Sequence, residues 1–208
     1  MSLFKENPKS IFDNIKELLK LSIADRHHTF HTPVFSNKNQ NNSIDSRIVV
    51  LRKFNESNLK LNFHTDFRSP KIVNLQKDNN SSFLFYDFKL KIQLRIITLS
   101  IINNKNDITK NAWDLSHLSS RKCYLTKKAP SSITTLPEDG IPKHLKGIDP
   151  SHEESEKGYD NFAVIENEIQ NIDWLHLASS GHRRLNIVLK ILNLCLSGLL
   201  PNTKYSYQ

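Results

Sequence analysis

Two stretches of period-two alternation constrain the fold of this chain more than any other feature. Leu59, Leu61 and Phe63 alternate with Lys60, Asn62 and His64, and Leu90, Ile92, Leu94 and Ile96 alternate with Lys91, Gln93 and Arg95. That period belongs to strands with one face in the core and the other facing solvent or a site. A third β-branched run covers residues 46–52, and the polar turn Asn55-Glu56-Ser57-Asn58 joins it to strand 59–65 as a hairpin. Residues 82–88, 90–102, 162–165, 169–177 and 184–192 read as further strands, residues 28–35 as polar and β-like, and residues 36–43 as a connecting loop.

Helices flank these strands. Ile11, Phe12, Ile15, Leu18, Leu19 and Ile23 recur at helical spacing behind Asn7-Pro8, which predicts an amphipathic helix over about 9–24. Ser69-Pro70-Lys71 opens a second, because serine caps well and proline suits the first helical position, and its N-terminus is suited to a phosphate. A third is expected around 108–117. Pro130, Pro137, Pro142 and Pro150 make residues 126–150 an irregular surface excursion, with the place of a lid. The sum is one α+β domain over 1–208, mainly β, a small barrel of six to eight largely antiparallel strands without βαβ rhythm.

Several function classes fall away. The chain has five glycines, none in a GxGxxG or GxxxxGK pattern, so Rossmann and P-loop nucleotide sites are excluded. There is no HExxH, no paired-carboxylate motif and no triad pattern, so no catalytic residue is assigned. Cys123 and Cys195 stand alone, as plain thiols rather than a disulfide framework or metal site. The net charge of +8 comes without a basic run and alongside a general Lys/Asn/Ile bias, so no nucleic-acid partner is expected. No run reaches the roughly eighteen apolar residues of a membrane span and the first residues lack a signal core, so a cytoplasmic protein is expected.

In order along the chain stand SRIVVLR at 46–52, FHTDFRSPK at 63–71, SFLFYD at 82–87, LKIQLRI at 90–96, AWDLSHLSSRKCYL at 112–125 and IDWLHLASSGHRR at 172–184. This series resembles the FMN-binding split barrel of the pyridoxamine 5'-phosphate oxidase family, in particular the branch with a WLHL strand followed by HRR. The resemblance implies that Arg47, Arg52, Thr65 and Lys71 hold the phosphate and ribityl chain of FMN, with Val49, Val50, His64 and Ser69 in the same set. It further implies that Gln93 reaches the isoalloxazine from a neighbouring strand across a homodimer interface, that Ser119 supplies a second contact, and that Trp174 covers the flavin edge. A substrate phosphate falls to Arg52, Arg183 and Arg184.

The implied activity is oxidation of pyridoxamine or pyridoxine 5'-phosphate by hydride transfer to flavin N5. The chain departs from the pattern in three places. Pro70 stands where the family has an arginine, with Arg68 nearby to compensate; Leu118, or His117 if the gap is placed differently, stands where it has a glutamine; and residues 103–111 lack its substrate-gripping Tyr and Arg. The resemblance therefore carries the cofactor further than the substrate. The alternative reading is a split barrel that binds flavin, deazaflavin or haem without the oxidase reaction, with His64, His176 or His182 as the haem ligand.

Overall fold

The computed structural model describes residues 7–179, 181–189 and, for the backbone alone, 202–206. Eight strands and a short ninth form one sheet in which every pair is antiparallel. The strands are β1 Val34–Lys38, β2 Ile44–Ile48, β3 Leu51–Asn55, β4 Lys60–Asp66, β5 Asn80–Asp87, β6 Ile92–Asn103, β7 Phe162–His176, β8 Arg183–Val188 and β9 Asn202–Ser206. The helices are α1 Pro8–Ala24, α2 Pro70–Lys77, α3 Asp107–Asp114, α4 Leu118–Arg121 and α5 His152–Glu156.

The strand order is β2-β1-β5-β6-β7-β4-β3, with β8 on β7 and β9 on β8. The sheet splits at β7: residues 162–168 pair with β4, whereas residues 171–176 pair with β8. β2 and β3 lie at opposite ends of this order, yet only Val49 and Val50 separate them in the chain. So short a link brings the two edges together, and the sheet must curl into a barrel.

Residues 46–52 are therefore not the single strand that their β-branched run predicts. The chain leaves β2, and with it the pairing to β1, at Ile48, turns the corner with the Val49 N–H donating to the Pro33 carbonyl at 3.1 Å, and pairs with β4 from Leu51. Residues 162–165 and 169–177 fuse instead into one strand. The polar run between them, Glu166-Asn167-Glu168, is strand because Asn167, fully buried, donates to the Leu61 and Ile165 carbonyls (2.9 and 3.1 Å) and accepts from Ser100 (2.8 Å). Residues 36–38 belong to β1 rather than to a loop, and a 3-10 turn, Thr29–His31, precedes it. β8 ends at Val188, and the expected extension over 190–192 falls outside the described residues.

Phenylalanines from three strands and from the turn before β1 fill the barrel. The rings of Phe35 and Phe63 lie 4.8 Å apart, Phe35 and Phe83 5.1 Å, and Phe30 reaches Phe85 at 5.1 Å. α1, capped by the Asn7 side chain, lays Ile11, Ile15 and Leu19 on this core against β3. A second, smaller cluster of Trp113, Tyr124, Phe162 and Val164 covers the other face of β4 and β7 with α3 and the turn after α4. Residues 126–150 form an irregular excursion tied down by Arg68, which donates to the Thr126 carbonyl and hydroxyl (2.9 and 3.0 Å), and by the buried Leu145. Phe63 stands at the centre of the aromatic core, and Phe63→Ala should destabilise the chain by about 3–5 kcal/mol in a denaturant titration. A loss below about 1 kcal/mol would contradict this packing.

Candidate functional site

Between the outer face of β3, β4 and β7 and the layer of α3 and α4 lies a cavity of about 800 Å³. That is within the range of about 300–1,000 Å³ common for small-molecule sites. It brings together Arg47, Val49, Val50, Arg52, His64, Thr65, Lys71 and Ser119, which lie far apart in sequence. Val49 and Val50 form its wall at the barrel corner, and Arg52 sits at a bulge in β3 where the register shifts. No residue of the 126–150 excursion lines the cavity, so the excursion is not its lid.

One end is cationic. Lys71, on the first turn of α2, donates to Thr65 Oγ1 at 2.8 Å and to Ser69 Oγ at 3.3 Å. Ser69 is buried behind it, outside the cavity lining, and acts on the site through Lys71. Burial, and then the neighbouring Arg47, push the Lys71 pKa down to about 8. Arg47 is itself lowered by burial; its guanidinium lies over the Phe35 ring at 5.8 Å and donates to Asn37 Oδ1, with Asp45 at 3.6 Å. Arg68 does not compensate for Pro70, because its guanidinium is spent on Asp66 (2.7 and 3.0 Å) and Thr126. Two desolvated cations together are electrostatically costly unless an anion joins them.

The remaining displaced groups all move towards their neutral forms. Burial and then Arg52 hold the His64 imidazole down to about 4, while burial pushes the Cys123 thiol and the Tyr124 phenol up. The cavity thus offers an anion cradle beside neutral side chains, with no activated nucleophile among these three. Such a site binds and orients; redox chemistry in it requires a cofactor. Phosphate fits the donor set, since hydroxyl and ammonium donors converge on the cationic end.

Four predicted site residues lie elsewhere. Gln93 on β6, Trp174 on β7, and Arg183 and Arg184 on β8 are outside the cavity lining. Trp174 is buried core at 2% exposure, and Arg184 is held by Asp173 through contacts of 2.9 and 2.7 Å. Of the proposed haem ligands His64 alone lines the cavity; His176 contacts Arg183 at 3.3 Å. Asn62 and Glu166 line it and carry no assignment from the sequence, and of the two residues that could stand at the family's glutamine His117 lines it and Leu118 does not. The alternation of β4 held the signal for Asn62, which shares a face with His64, but Glu166 was hidden in the apparent gap between two strands.

Residues 13–102 match the sequence family described as pyridoxamine 5'-phosphate oxidase, FMN-binding domain. A pyridoxamine 5'-phosphate oxidase-related, FMN binding protein from Nostoc punctiforme superposes with a TM-score of 0.70 at 14% identity, over 94% of this chain and 96% of its own. PhzG from Burkholderia lata, solved in complex with tetrahydrophenazine-1-carboxylic acid, gives 0.69 at 13% identity over 98% and 95%. The chain shares the split-barrel fold of the pyridoxamine 5'-phosphate oxidase-related proteins. No curated protein matches it. Among the described residues no helix is long and apolar enough to cross a membrane.

Lys71 makes the site's charge testable. Its native pKa, about 8, lies below the 10.5 of an unconstrained lysine, so between these values the unfolded chain binds more protons and stability rises with pH. The destabilising contribution of Lys71 in the ligand-free chain should be full below pH 8 and fade as pH rises towards 10.5. Denaturant titrations across this window should show the effect in the wild type and not in Lys71→Met; identical pH slopes would refute it.

Proposed function

We propose that the cavity binds FMN and that the chain is a homodimeric, FMN-dependent oxidoreductase. The observation that carries this reading is the pair of desolvated cations, Arg47 and Lys71, with the Thr65 hydroxyl that accepts from Lys71, at one end of a cavity large enough for a flavin nucleotide. These three groups would hold the phosphate, Ser69 would fix the Lys71 ammonium, and Val49, Val50, His64 and Ser119 would line the rest. When bound, the flavin supplies a hydride acceptor. The protein's own part is to neutralise the dianion, orient the ring system and shield it from water.

A second copy supplies what one protomer lacks. Ile48 lines the cavity and also begins an outward row across the sheet, opposite Val34, which faces Leu84. Ile48 is 69% exposed, and Leu84, Tyr86 and Ile97 on the same sheet are exposed as well. An apolar face continuous with the cavity mouth fits an isologous contact. Gln93, opposite Tyr86 in that sheet, would then reach the flavin of the partner. Arg52 is exposed at the cavity edge, and it would meet the phosphate of a substrate such as pyridoxamine or pyridoxine 5'-phosphate.

The test is a titration with FMN followed by flavin fluorescence, with riboflavin as the phosphate-free control. FMN should saturate at one per protomer and bind about tenfold or more tightly than riboflavin, and Arg47→Ala should lose a similar factor. Sedimentation should give a dimer. Equal binding of the two flavins would remove the phosphate cradle, and a sharp Soret band with hemin in place of FMN binding would favour His64 as a haem ligand.

A further inference from the structure

The guanidinium of Arg47 is bonded to a residue outside the cavity. Asn37 lies on β1, in the stretch whose polar composition reads as a connecting loop, and it is 3% exposed and absent from the cavity lining. Its Oδ1 accepts from the Arg47 guanidinium, and its Nδ2 donates to the Lys38 carbonyl at 2.7 Å. The second bond fixes the sense of the amide. Turned over, it would set its NH2 against the guanidinium and its oxygen against a carbonyl.

The register explains the contact. Arg47 stands opposite Phe35, and Asp45 stands opposite Asn37, so Asn37 and Arg47 are diagonal neighbours on one sheet face. β1 is paired on both sides, with β2 and with β5, which makes it a rigid mount. From this one strand the Phe35 ring and the Asn37 amide both engage the guanidinium.

Asp45 holds Arg47 less firmly. One of its oxygens is 3.6 Å from the guanidinium, the other accepts from Asn39 at 3.2 Å, and its side chain is 43% exposed. Ion pairs so open to solvent contribute little. Lys71 meanwhile repels Arg47, so a guanidinium without the amide would swing away from the second cation, towards Asp45 and water. A neutral acceptor prevents that swing and leaves the positive charge available to an incoming anion, whereas a buried carboxylate in its place would cancel the charge.

Resting on the flavin reading above, we propose that Asn37 is the positioning residue for Arg47 and thereby sets the preference of the site for a phosphorylated flavin over its phosphate-free form. Asn37 makes no contact with the ligand. It acts through the direction of one guanidinium.

The experiment is a double-mutant cycle on the full chain, with FMN and riboflavin titrated against wild type, Asn37→Leu, Arg47→Ala and the double variant. Leucine keeps the volume of asparagine and removes its acceptor; Asn37→Ala serves the same purpose should leucine not fold. Asn37→Leu should weaken FMN about three- to tenfold and leave riboflavin within about twofold of wild type. In the Arg47→Ala background the same substitution should cost no more than about twofold, because the group it directs is gone. Unchanged FMN affinity in Asn37→Leu overturns the proposal. An equal loss for both flavins does so too, since it assigns Asn37 to the general stability of the barrel, as does a loss that adds in full to that of Arg47→Ala. Equal binding of the two flavins by wild type also overturns it, since Arg47 then meets no phosphate. If wild type binds neither flavin, the flavin reading falls by itself and inorganic phosphate decides the role of Asn37. Against chloride at equal ionic strength, phosphate should raise the melting temperature of wild type and not that of Asn37→Leu; alike responses would overturn the positioning role.

Discussion

The link Val49-Val50 is the constraint on which the rest of the structure depends. It joins the two strands that terminate the sheet, β2 beside β1 and β3 beside β4, and two residues cannot span a flat sheet of that order. Curling brings the edges together, encloses the phenylalanine core and leaves a corner at which backbone faces a cavity. The same link spaces Arg47 and Arg52 on either side of the corner, so the barrel's closure and the placing of its cations are one event. Ile48, just before the corner, is left exposed and extends the cavity mouth into an apolar sheet face.

Electrostatics in the cavity follow from its depth. Lys71 and Arg47 are pulled from water by the fold and press on each other, and His64 is similarly lowered beside Arg52. A chain that holds cations in this way has stored an affinity for anions, because an incoming phosphate offsets the desolvation already incurred.

Much of this was legible in residue order. Alternation over 59–65 and 90–96 located β4 and β6 and put Asn62, His64 and Gln93 on their polar faces, because side-chain direction in a strand depends only on parity. The Ser69-Pro70 start of α2 was legible for a similarly local reason, and the structure places Lys71 on the first turn. Other features were not local. The division of 46–52 into two strands is decided by which neighbours each half meets, and the fusion of 162–177 by bonds from Asn167 to the Leu61 carbonyl, 106 residues away. Polar residues at 166–168 looked like a break because a buried asparagine and a surface glutamate are indistinguishable before the sheet forms.

The sequence alone determined the alternating strands β4 and β6, the start of α2 and the polar face of β4, since each rests on spacing within a few residues, while the candidate anion-binding residues came from the family resemblance. Tertiary structure decided which of these meet. It gathered Arg47, Thr65 and Lys71 at one cavity end, and it turned Arg68 away to Asp66 and Thr126. It held Arg184 on Asp173 and set Glu166 beside Asn62. Burial, pairing and charge coupling are properties of surroundings, and those surroundings exist only once β2 and β3 have closed the barrel.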